Sequence, residues 1–448
     1  MTMLAAGDDK LGEWQDVKAE TRPDAATRSN PTTGLIENLF RREYGRLTAI
    51  LLRTFGMQHL NAIEDAVQEA LLRALSVWPY YGLPRDPTAW LYQTARRVML
   101  DVLKHGRLVN AKNAQVAAYH KLFENLPADH EVLEAYQRDS QLRVIFLCAH
   151  PQLSRELQLT LTLKMVGGFG VTEISQALLA SPAAVKRRIS RALAILRATD
   201  APCDLPGAAD LNSRMDAVLT TIYLMFNEGY KAAAGKRLTR PELCEEAVRL
   251  AELLLDGFPD RRPIIDALLA LMYLNLGRFA ARTGDLGDLL PMEEQDRKRW
   301  DQSLIASGIL HLRRSAVGDL VSRYHIEAAI AACHCAAGEY RLTDWPRILH
   351  LYDQLATLAP TPIVRLNRSV AIFKARGARE AFEALKEIGD EKAMDGYYLF
   401  HAVRGEFLAN LGDFPAACEA LTTAIHLCHN QIECDLLVKK RQRLTMPR

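Results

Sequence analysis

The stretch Val171–Arg197, VTEISQALLASPAAVKRRISRALAILR, predicts two short helices separated by a tight break at residues 179–182. Ser181 can cap the second helix, and Pro182 suits its first turn because the N–H that proline lacks would have no helical partner there. A period of 3.6 residues then places four aliphatic side chains on one buried stripe: Val185, Ile189, Leu193 and Leu196.

The other side of this second helix is basic. No Asp or Glu occurs from Ile174 to Thr199. Small side chains let a helix backbone approach base edges, and arginine binds guanine or phosphate. We therefore expect the helix to lie in the major groove of DNA, with a solvated basic helix as the alternative. The candidate DNA-contacting residues are Ser181, Ala183, Ala184, Lys186, Arg187, Arg188 and Arg191.

Size and composition indicate a folded protein with several domains. At 448 residues the chain has room for about three domains of roughly 150 residues. Hydrophobic residues make up 49% of it, enough for several cores. The net charge is only +2, so affinity for nucleic acid has to come from local patches. We see no apolar run of about 18 residues and no secretory signal, and so expect a cytoplasmic protein without a membrane span.

The eight cysteines are scattered through helical patterns, which is typical of small core residues in a reducing compartment. Cys333, His334 and Cys335 invite comparison with a metal site. Adjacent positions on a helix point in different directions, and no second pair follows at zinc spacing. We therefore predict no bound metal and no cofactor.

Helical periodicity begins at Leu35, and no convincing strand pattern follows, so the expected fold is all-α. Polar composition predicts a disordered N-terminal tail. The expected organisation is a tail at 1–34, a first domain at 35–107, a linker at 108–135, a second domain at 136–198, a linker at 199–209 and a C-terminal helical region at 210–448.

A helix predicted near residues 62–78 has an apolar inner face and an unusual outer face. Asp65, Gln68 and Glu69 surround Leu72 on that outer face. An exposed leucine among carboxylates and an amide is typical of a protein-docking surface. A solvated face with one stray leucine is the alternative, and the pattern alone does not decide between them.

Residues 78–90, WPYYGLPRDPTAW, combine aromatic side chains with loop-forming prolines and glycine. Aromatic rings on a loop can stack on unpaired bases, for about 1–3 kcal/mol each. The alternative is that tryptophans at the two ends anchor the loop in the core. The following helix is expected to bury Leu91, Ala95, Val98, Met99 and Val102. The predicted single-strand surface comprises Trp78, Tyr80, Tyr81, Trp90, Arg96, Arg97, Asp101 and Lys104.

The motifs EDAVQEALLRAL (64–75) and PTAWLYQTARRVMLDVLK (87–104), followed by the predicted helix-turn-helix, resemble bacterial RNA polymerase sigma factors of the extracytoplasmic-function (ECF) type. The resemblance implies that the helix matching Asp65–Arg73 binds core polymerase, so that Arg73 joins the docking residues. It also implies that residues 78–104 melt and hold the minus-ten promoter element, and that the second domain reads the minus-thirty-five element. Ala183 and Ala184 replace the Gly-Thr type of pair found in many relatives.

The C-terminal region resembles the extension of one ECF subgroup, in which tetratricopeptide (TPR)-like helices follow the DNA-reading domain. Residues 408–430 fit the TPR template, with looser copies at 366–388 and from 326 into a helix near Trp345. The motifs that carry the resemblance are FNEGY (Phe226, Asn227, Glu228, Gly229 and Tyr230), QDRKRWD (295–301), AAIAACH (328–334) and LNRSVAI (366–372).

The leading hypothesis is therefore a sigma factor, not an enzyme, with core RNA polymerase and promoter DNA as partners and a possible protein partner for the TPR-like region. We expect the part beginning at FNEGY to pack against the second domain and regulate it, and a passive stabilising domain is the alternative. Two other classes of protein are the alternatives. An enzyme could use Glu228, Asp296 and Asp301 as acids or bases, although no phosphate loop or nucleophile pattern accompanies them. A helix-turn-helix regulator with a TPR-like scaffold would leave the aromatic segment unexplained.

Overall fold

The computed structural model describes residues 31–108, 130–178, 180–199, 203–230, 240–284, 288–389 and 392–445. Within them we find helices and no strand, apart from one isolated bridge between Thr283 and Leu289, so the predicted all-α class is confirmed. Residues 1–30 of the expected tail, 109–129 of the first expected linker and 200–202 of the second lie outside the described residues.

The first domain consists of three long helices. They are α1 (Pro31–Phe55), α2 (Leu60–Tyr81) and α3 (Pro87–Leu108). Helix α1 thus begins before residue 35, where the domain was expected to start. The predicted apolar face of α3 is correct at Leu91, Ala95 and Met99, but Val102 is 44% exposed, so its assignment to the core was wrong. The aromatic ring of Tyr92 is buried instead.

The second domain consists of four helices, and the last two form the predicted pair around a short break. They are α4 (His130–Cys148), α5 (Arg155–Met165), α6 (Val171–Ala177) and α7 (Pro182–Ala198). Helix α7 packs on α5 and α6, and α4 packs on α5.

The remaining chain forms a large helical appendage. Its helices are α8 (Ala208–Tyr230), α9 (Pro241–Gly257), α10 (Arg262–Leu276), α11 (Gln302–Ser315), α12 (Arg323–Ala336), α13 (Trp345–Leu358), α14 (Pro362–Arg376), α15 (Ala378–Gly389), α16 (Lys392–Asp395), α17 (Tyr398–Asn410), α18 (Phe414–Leu427) and α19 (Gln431–Thr445). The three stretches that suggested repeats form packed helix pairs: α12 with α13, α14 with α15, and α17 with α18.

One helix of the appendage is strongly apolar. Pro259–Ala281 is long and hydrophobic enough for a membrane span, contrary to our expectation that no such run exists. Two-thirds of the apolar window, 67%, is buried inside the protein, because α10 packs against α8, α9, α11 and α12. This environment is that of a core helix.

A continuous hydrophobic core joins the first domain, the second domain and the start of the appendage. Helix α1 packs on α4 and α5, α8 packs on the same two helices, and α9 packs on α4. The aromatic ring of Phe146 on α4 lies edge-on to Phe258 at the end of α9, with centroids 5.3 Å apart. Arg214 of α8 donates a 2.5 Å hydrogen bond to the Phe146 carbonyl oxygen.

Contact between the appendage and the second domain is made by α8 and α9. The FNEGY motif forms the end of α8 and packs close to α9. Gly229 lies so close to α9 that an added Cβ would be 2.7 Å from Cys244 Sγ. Helix α9, which follows FNEGY, packs on α4, as expected of the part of the chain that begins at FNEGY.

Polar contacts accompany the packing between the first and second domains. Arg53 on α1 pairs with Asp139 on α4 at 2.6 Å. Lys164 on α5 pairs with Glu64 on α2 at 3.2 Å and donates a hydrogen bond to the Tyr44 hydroxyl at 3.2 Å. Gly45 provides the closest approach, because a Cβ there would lie 2.1 Å from the Val166 carbonyl oxygen.

This approach gives the first prediction. Gly45→Ala should lower the free energy of unfolding by about 1–3 kcal/mol, because the added methyl group forces α1 away from the backbone after α5. Urea unfolding followed by far-UV circular dichroism measures the change. Gly207→Ala is the matched control, since a Cβ there meets no atom within 4 Å. Equal midpoints for the two variants would contradict the close packing of α1 against the second domain.

Candidate nucleic-acid interface

Helix α7 has the predicted cap and the predicted buried stripe. The Ser181 hydroxyl accepts a 3.1 Å hydrogen bond from the Ala184 N–H. Val185, Leu193 and Leu196 are buried and Ile189 is half-buried. Ala192 is also buried, and the small size that hid it in the hydrophobic pattern is what lets α7 pack closely.

The outward face of α7 carries most of the predicted DNA contacts. Ser181, Ala183, Lys186, Arg187 and Arg191 are exposed, and Ala184 is half-buried. The small residues at the start of the helix leave the backbone accessible, and the three exposed cations follow within two and a half turns. This combination suits docking against a phosphate-lined groove.

Arg188 differs from the other cations of α7. Its Nη2 atom lies 3.3 Å from Glu156 Oε2 on α5, and its side chain is only 28% exposed. The guanidinium therefore contributes to packing of α7 on α5 and is less available to DNA than the sequence pattern suggested. A sequence search could not find this pair, because the two residues are 32 positions apart.

The outer face of α2 is exposed as predicted. Asp65 and Gln68 are exposed, and Glu69 pairs with Arg73 at 2.7 Å, one turn away on the same helix. Leu72 is 60% exposed, and Leu75 is 53% exposed. Leu75 was missed, although its spacing of three residues from Leu72 puts both on the same face. The apolar area of this docking surface is thus larger than one leucine.

The aromatic segment is arranged differently from the expected loop. Trp78, Tyr80 and Tyr81 belong to the last turns of α2, and Gly82, with a φ of 81°, ends that helix. Pro79 is tolerated close to the helix end, where few hydrogen bonds follow it. Only residues 82–86 form the connection to α3.

The two tryptophans pack on each other. Trp78 and Trp90 meet edge to face with ring centroids 5.5 Å apart, and both are half-buried against the core. This contact is the anchoring of the alternative interpretation, and the role of the two rings in a stacking surface stays a prediction. Tyr80 and Tyr81 are 85% and 86% exposed and remain as the accessible aromatic rings.

The exposed side of α3 carries Arg97, Asp101 and Lys104, and Arg96 is half-buried beside Gln93. Trp90 does not share this face, because its ring turns inward to Trp78. The accessible set next to the C-terminal end of α2 is thus two tyrosines, one exposed arginine, one lysine and one carboxylate.

The FNEGY motif forms the last turn of α8 and does not form a free polar surface. Phe226 is buried and stacks on Tyr230 at 5.9 Å between centroids. Glu228 pairs with Arg240 at 3.4 Å, and Gly229 accepts a hydrogen bond from the Arg240 N–H. Asn227 is half-buried and lines a cavity. Through the contacts of Glu228 and Gly229 with Arg240, the motif holds the end of α8 against the start of α9.

The candidates for other chemistry have structural roles. Asp296 and Asp301 cap helical turns, and hydrogen bonds from Ser303 and the Leu304 N–H lower the pKa of Asp301. Among the described residues no group of three or more His, Cys, Asp or Glu side chains is placed to hold a metal ion. Cys333, His334 and Cys335 are half-buried on α12, where burial raises the pKa of both thiols.

The chain shares domains with known families. The family described as sigma-70 region 2 matches residues 39–108, and the one described as sigma-70, region 4 matches residues 143–196. A family of unknown function, DUF6596, matches residues 214–316 at the start of the appendage.

Comparison with whole proteins extends this result. An uncharacterised protein of Rhizobium meliloti (strain 1021) is 37% identical over 390 residues, which cover 86% of this chain and 89% of the relative. None of the solved structures matches the chain. The chain therefore belongs to one family with the Rhizobium protein, and its sigma-70 regions 2 and 4 identify it as an ECF-like sigma factor for transcription initiation.

Proposed function

We propose that region 2 (α1–α3) docks on core RNA polymerase and holds the minus-ten element, that region 4 (α4–α7) reads the minus-thirty-five element, and that the appendage restrains both. The observation that carries this proposal is the shared core. Helices α4 and α5 of region 4 pack on α1 of region 2 and on α8 of the appendage, α4 also packs on α9, and all of them contribute to one core. Such a factor works in the cytoplasm with its polymerase.

Docking on polymerase is assigned to the outer face of α2. Leu72 and Leu75 offer exposed apolar area, and Asp65, Gln68 and Glu69 provide hydrogen-bond acceptors around it. An apolar centre with a polar rim is the usual composition of a protein interface. In the compact arrangement this face remains open to solvent.

The second prediction tests this face. Gln68→Lys combined with Glu69→Lys should abolish co-purification with core polymerase, because it reverses the charge around Leu72 while the helix backbone is unaffected. Pull-down on immobilised core enzyme, with far-UV circular dichroism as a fold check, measures the effect. Glu387→Lys, an exposed site on α15, is the control. Full retention of the double variant on core enzyme would refute the assignment.

Reading of the upstream element is assigned to the exposed start of α7. Arg187 and Arg191 lie one turn apart on the same face, and both are exposed. Each can bind guanine through two hydrogen bonds or a phosphate through its charge. Arg188 is assigned to the packing of α7 on α5 because of its pair with Glu156.

The third prediction follows from the two kinds of contact. Arg187→Ala should either relax base preference at one promoter position, at a cost of about 1–3 kcal/mol, or reduce the salt slope of binding by about one. Fluorescence anisotropy on a set of promoter duplexes at several salt concentrations distinguishes the two. Arg341→Ala removes an exposed arginine far from α7 and should change neither. A variant at position 187 that matches this control would show that α7 does not face DNA.

Capture of the melted strand is assigned to the end of α2 and the exposed side of α3. Tyr80 and Tyr81 are almost fully accessible for stacking on bases, and Arg97 and Lys104 can follow the backbone phosphates. The paired tryptophans beneath hold this end of α2 against α3.

The compact arrangement explains why restraint is proposed. The minus-ten and minus-thirty-five elements are about 25 base pairs apart, or roughly 85 Å at ~3.4 Å per base pair. A domain of ~70 residues is only about 30 Å across, so two touching domains cannot hold both elements. Regions 2 and 4 therefore have to separate, and the contacts of α8 and α9 with α4 and α5 oppose that separation by stabilising region 4 where it lies.

The fourth prediction tests the restraint in the full-length protein, since the shared core makes truncation after residue 209 expose apolar surface. Arg53→Ala removes the pair with Asp139, and Arg214→Ala removes the hydrogen bond to the Phe146 carbonyl. Loss of a half-exposed ion pair changes an equilibrium by about 0.5–1 kcal/mol, or roughly two- to five-fold. Run-off transcription should rise by that factor in both variants.

The matched control is Arg46→Ala, because Arg46 lies on the same helix as Arg53 but pairs with Glu43 in that helix. It should leave transcription unchanged. Wild-type transcription by Arg53→Ala and Arg214→Ala, at equal soluble protein and unchanged binding of core enzyme, would leave only a passive stabilising role for the appendage.

The helix pairs of the appendage support a TPR-like description. In the last pair, a Cβ at Gly405 would lie 2.9 Å from Leu421 Cγ, so a small residue is required where α17 crosses α18. Stacked pairs of this kind provide a concave surface for a protein or peptide partner.

A further inference from the structure

A cavity of about 560 Å³ lies in the appendage, a size typical of small-molecule sites. It is enclosed by helices α8, α10, α12, α13 and α14, and Arg155 from region 4 contributes to its wall. Its apolar lining includes Phe226 and Leu271, and three asparagines provide amide groups: Asn227, Asn275 and Asn367.

The four motifs that distinguish the appendage in the sequence meet at this cavity. FNEGY contributes Phe226 and Tyr230, AAIAACH contributes His334, and LNRSVAI contributes Asn367. QDRKRWD lies directly behind the wall, where Arg297 donates a 2.8 Å hydrogen bond to the His334 carbonyl oxygen. Motifs separated by up to 140 residues thus meet at one cavity.

Arg278 is the most unusual side chain of the lining. It is only 6% exposed, and its Nε atom is buried without a hydrogen-bond partner. Within the described residues its guanidinium has no ion pair. The guanidinium carbon lies 5.5 Å from the centroid of the Trp300 ring. A buried cation without a counter-charge is costly.

Two neighbouring arginines, Arg282 and Arg297, have structural roles, because their guanidinium groups donate hydrogen bonds to backbone carbonyl oxygens. Arg282 is also buried, and its guanidinium donates to the Tyr230 carbonyl and stacks on the Tyr230 ring at 4.0 Å. Arg297 donates to the carbonyl oxygens of His334 and Ala337. Arg278 has no such acceptor among the described residues, although it lines the open space.

The surroundings of Arg278 are positive. His334 also lines the cavity with a buried, unpartnered Nδ1 atom. Burial lowers the pKa of His334 to about 3, and the charges of Arg278 and Arg297 act in the same direction. The carboxylate of the lining, Glu327, already pairs with Arg323 at 3.1 Å and accepts a hydrogen bond from Tyr223.

We propose that this cavity binds a small organic anion, a carboxylate or a phosphate ester, whose charged group contacts Arg278 and His334. The planar guanidinium can bind either group through two parallel hydrogen bonds. The apolar part of the molecule packs between Phe226 of α8 and Tyr352 of α13. Since Arg155 belongs to region 4, the bound molecule lies where the appendage meets the DNA-reading domain.

Phenyl phosphate, benzoate and inorganic phosphate are the probes, with benzyl alcohol as the neutral analogue of the aromatic part. Titration calorimetry of the full-length protein, without polymerase or DNA, measures binding and is independent of the proposed transcriptional role. We expect saturable binding of at least one aromatic anion, at least ten-fold tighter than any binding of benzyl alcohol. The tighter of the two aromatic anions identifies the anionic group.

Arg278→Met is the decisive variant because it keeps an unbranched side chain and removes the charged guanidinium that lies over the Trp300 ring. It should lose the anion affinity at least ten-fold, while the Tm of the unliganded protein stays the same or rises. A purely structural arginine would instead lower Tm on removal. Arg313→Met, at an exposed site on α11, should change neither measurement.

Histidine resonances provide a second readout. Bound anion should raise the pKa of His334, identified by its loss in His334→Gln, while other histidines stay unchanged. Absence of saturable binding for all three anions overturns the proposal. So does equal affinity for benzyl alcohol, or a lower Tm of Arg278→Met with unchanged anion binding.

Discussion

Burial of α4 and α5 against helices of two different parts of the chain is the constraint on which the arrangement of this sigma factor depends. Both helices pack on α1 of region 2 and on α8 of the appendage, and α4 also packs on α9. Side chains from all three parts belong to one continuous core. Since apolar burial of about 25 cal/mol per Å² is lost when such faces separate, region 4 cannot move without a cost that depends on both neighbours. The appendage is thereby linked energetically to the opening of the two sigma regions.

The sequence predicted local features well where the cause is local. The cap at Ser181, the buried stripe of α7 and the exposed face of α2 all follow from residues within one or two turns of each other. The all-α class also follows from periodicity along each helix. These features depend on spacing that is visible in one stretch of chain.

Features that depend on distant residues could not be predicted. Arg188 is drawn into the protein by Glu156, and Trp78 is turned inward by Trp90. The aromatic segment was expected to be a loop because prolines usually mark one, but Pro79 lies close enough to the end of α2 to be tolerated. Val102 continues the apolar period of α3 at a point where no neighbouring helix covers it within the described residues.

The cavity also could not be predicted from the sequence, because residues far apart in the chain line it. The burial of Arg278 gives a physical reason for an anion to bind there. Each motif that lines the cavity has the sequence pattern of an ordinary helical segment. The cavity, with Arg278 in its wall, forms only where these segments meet in the fold. Folded proteins are only marginally stable, so an uncompensated buried charge is a large cost to the free energy of folding. Such a charge is retained where a bound molecule completes its interactions. The exposed arginines of α7 are hydrated in the free protein, so their charges cost little stability before DNA binds. Arg278 is only 6% exposed and has no counter-charge among the described residues, and a bound anion supplies what the folded chain does not.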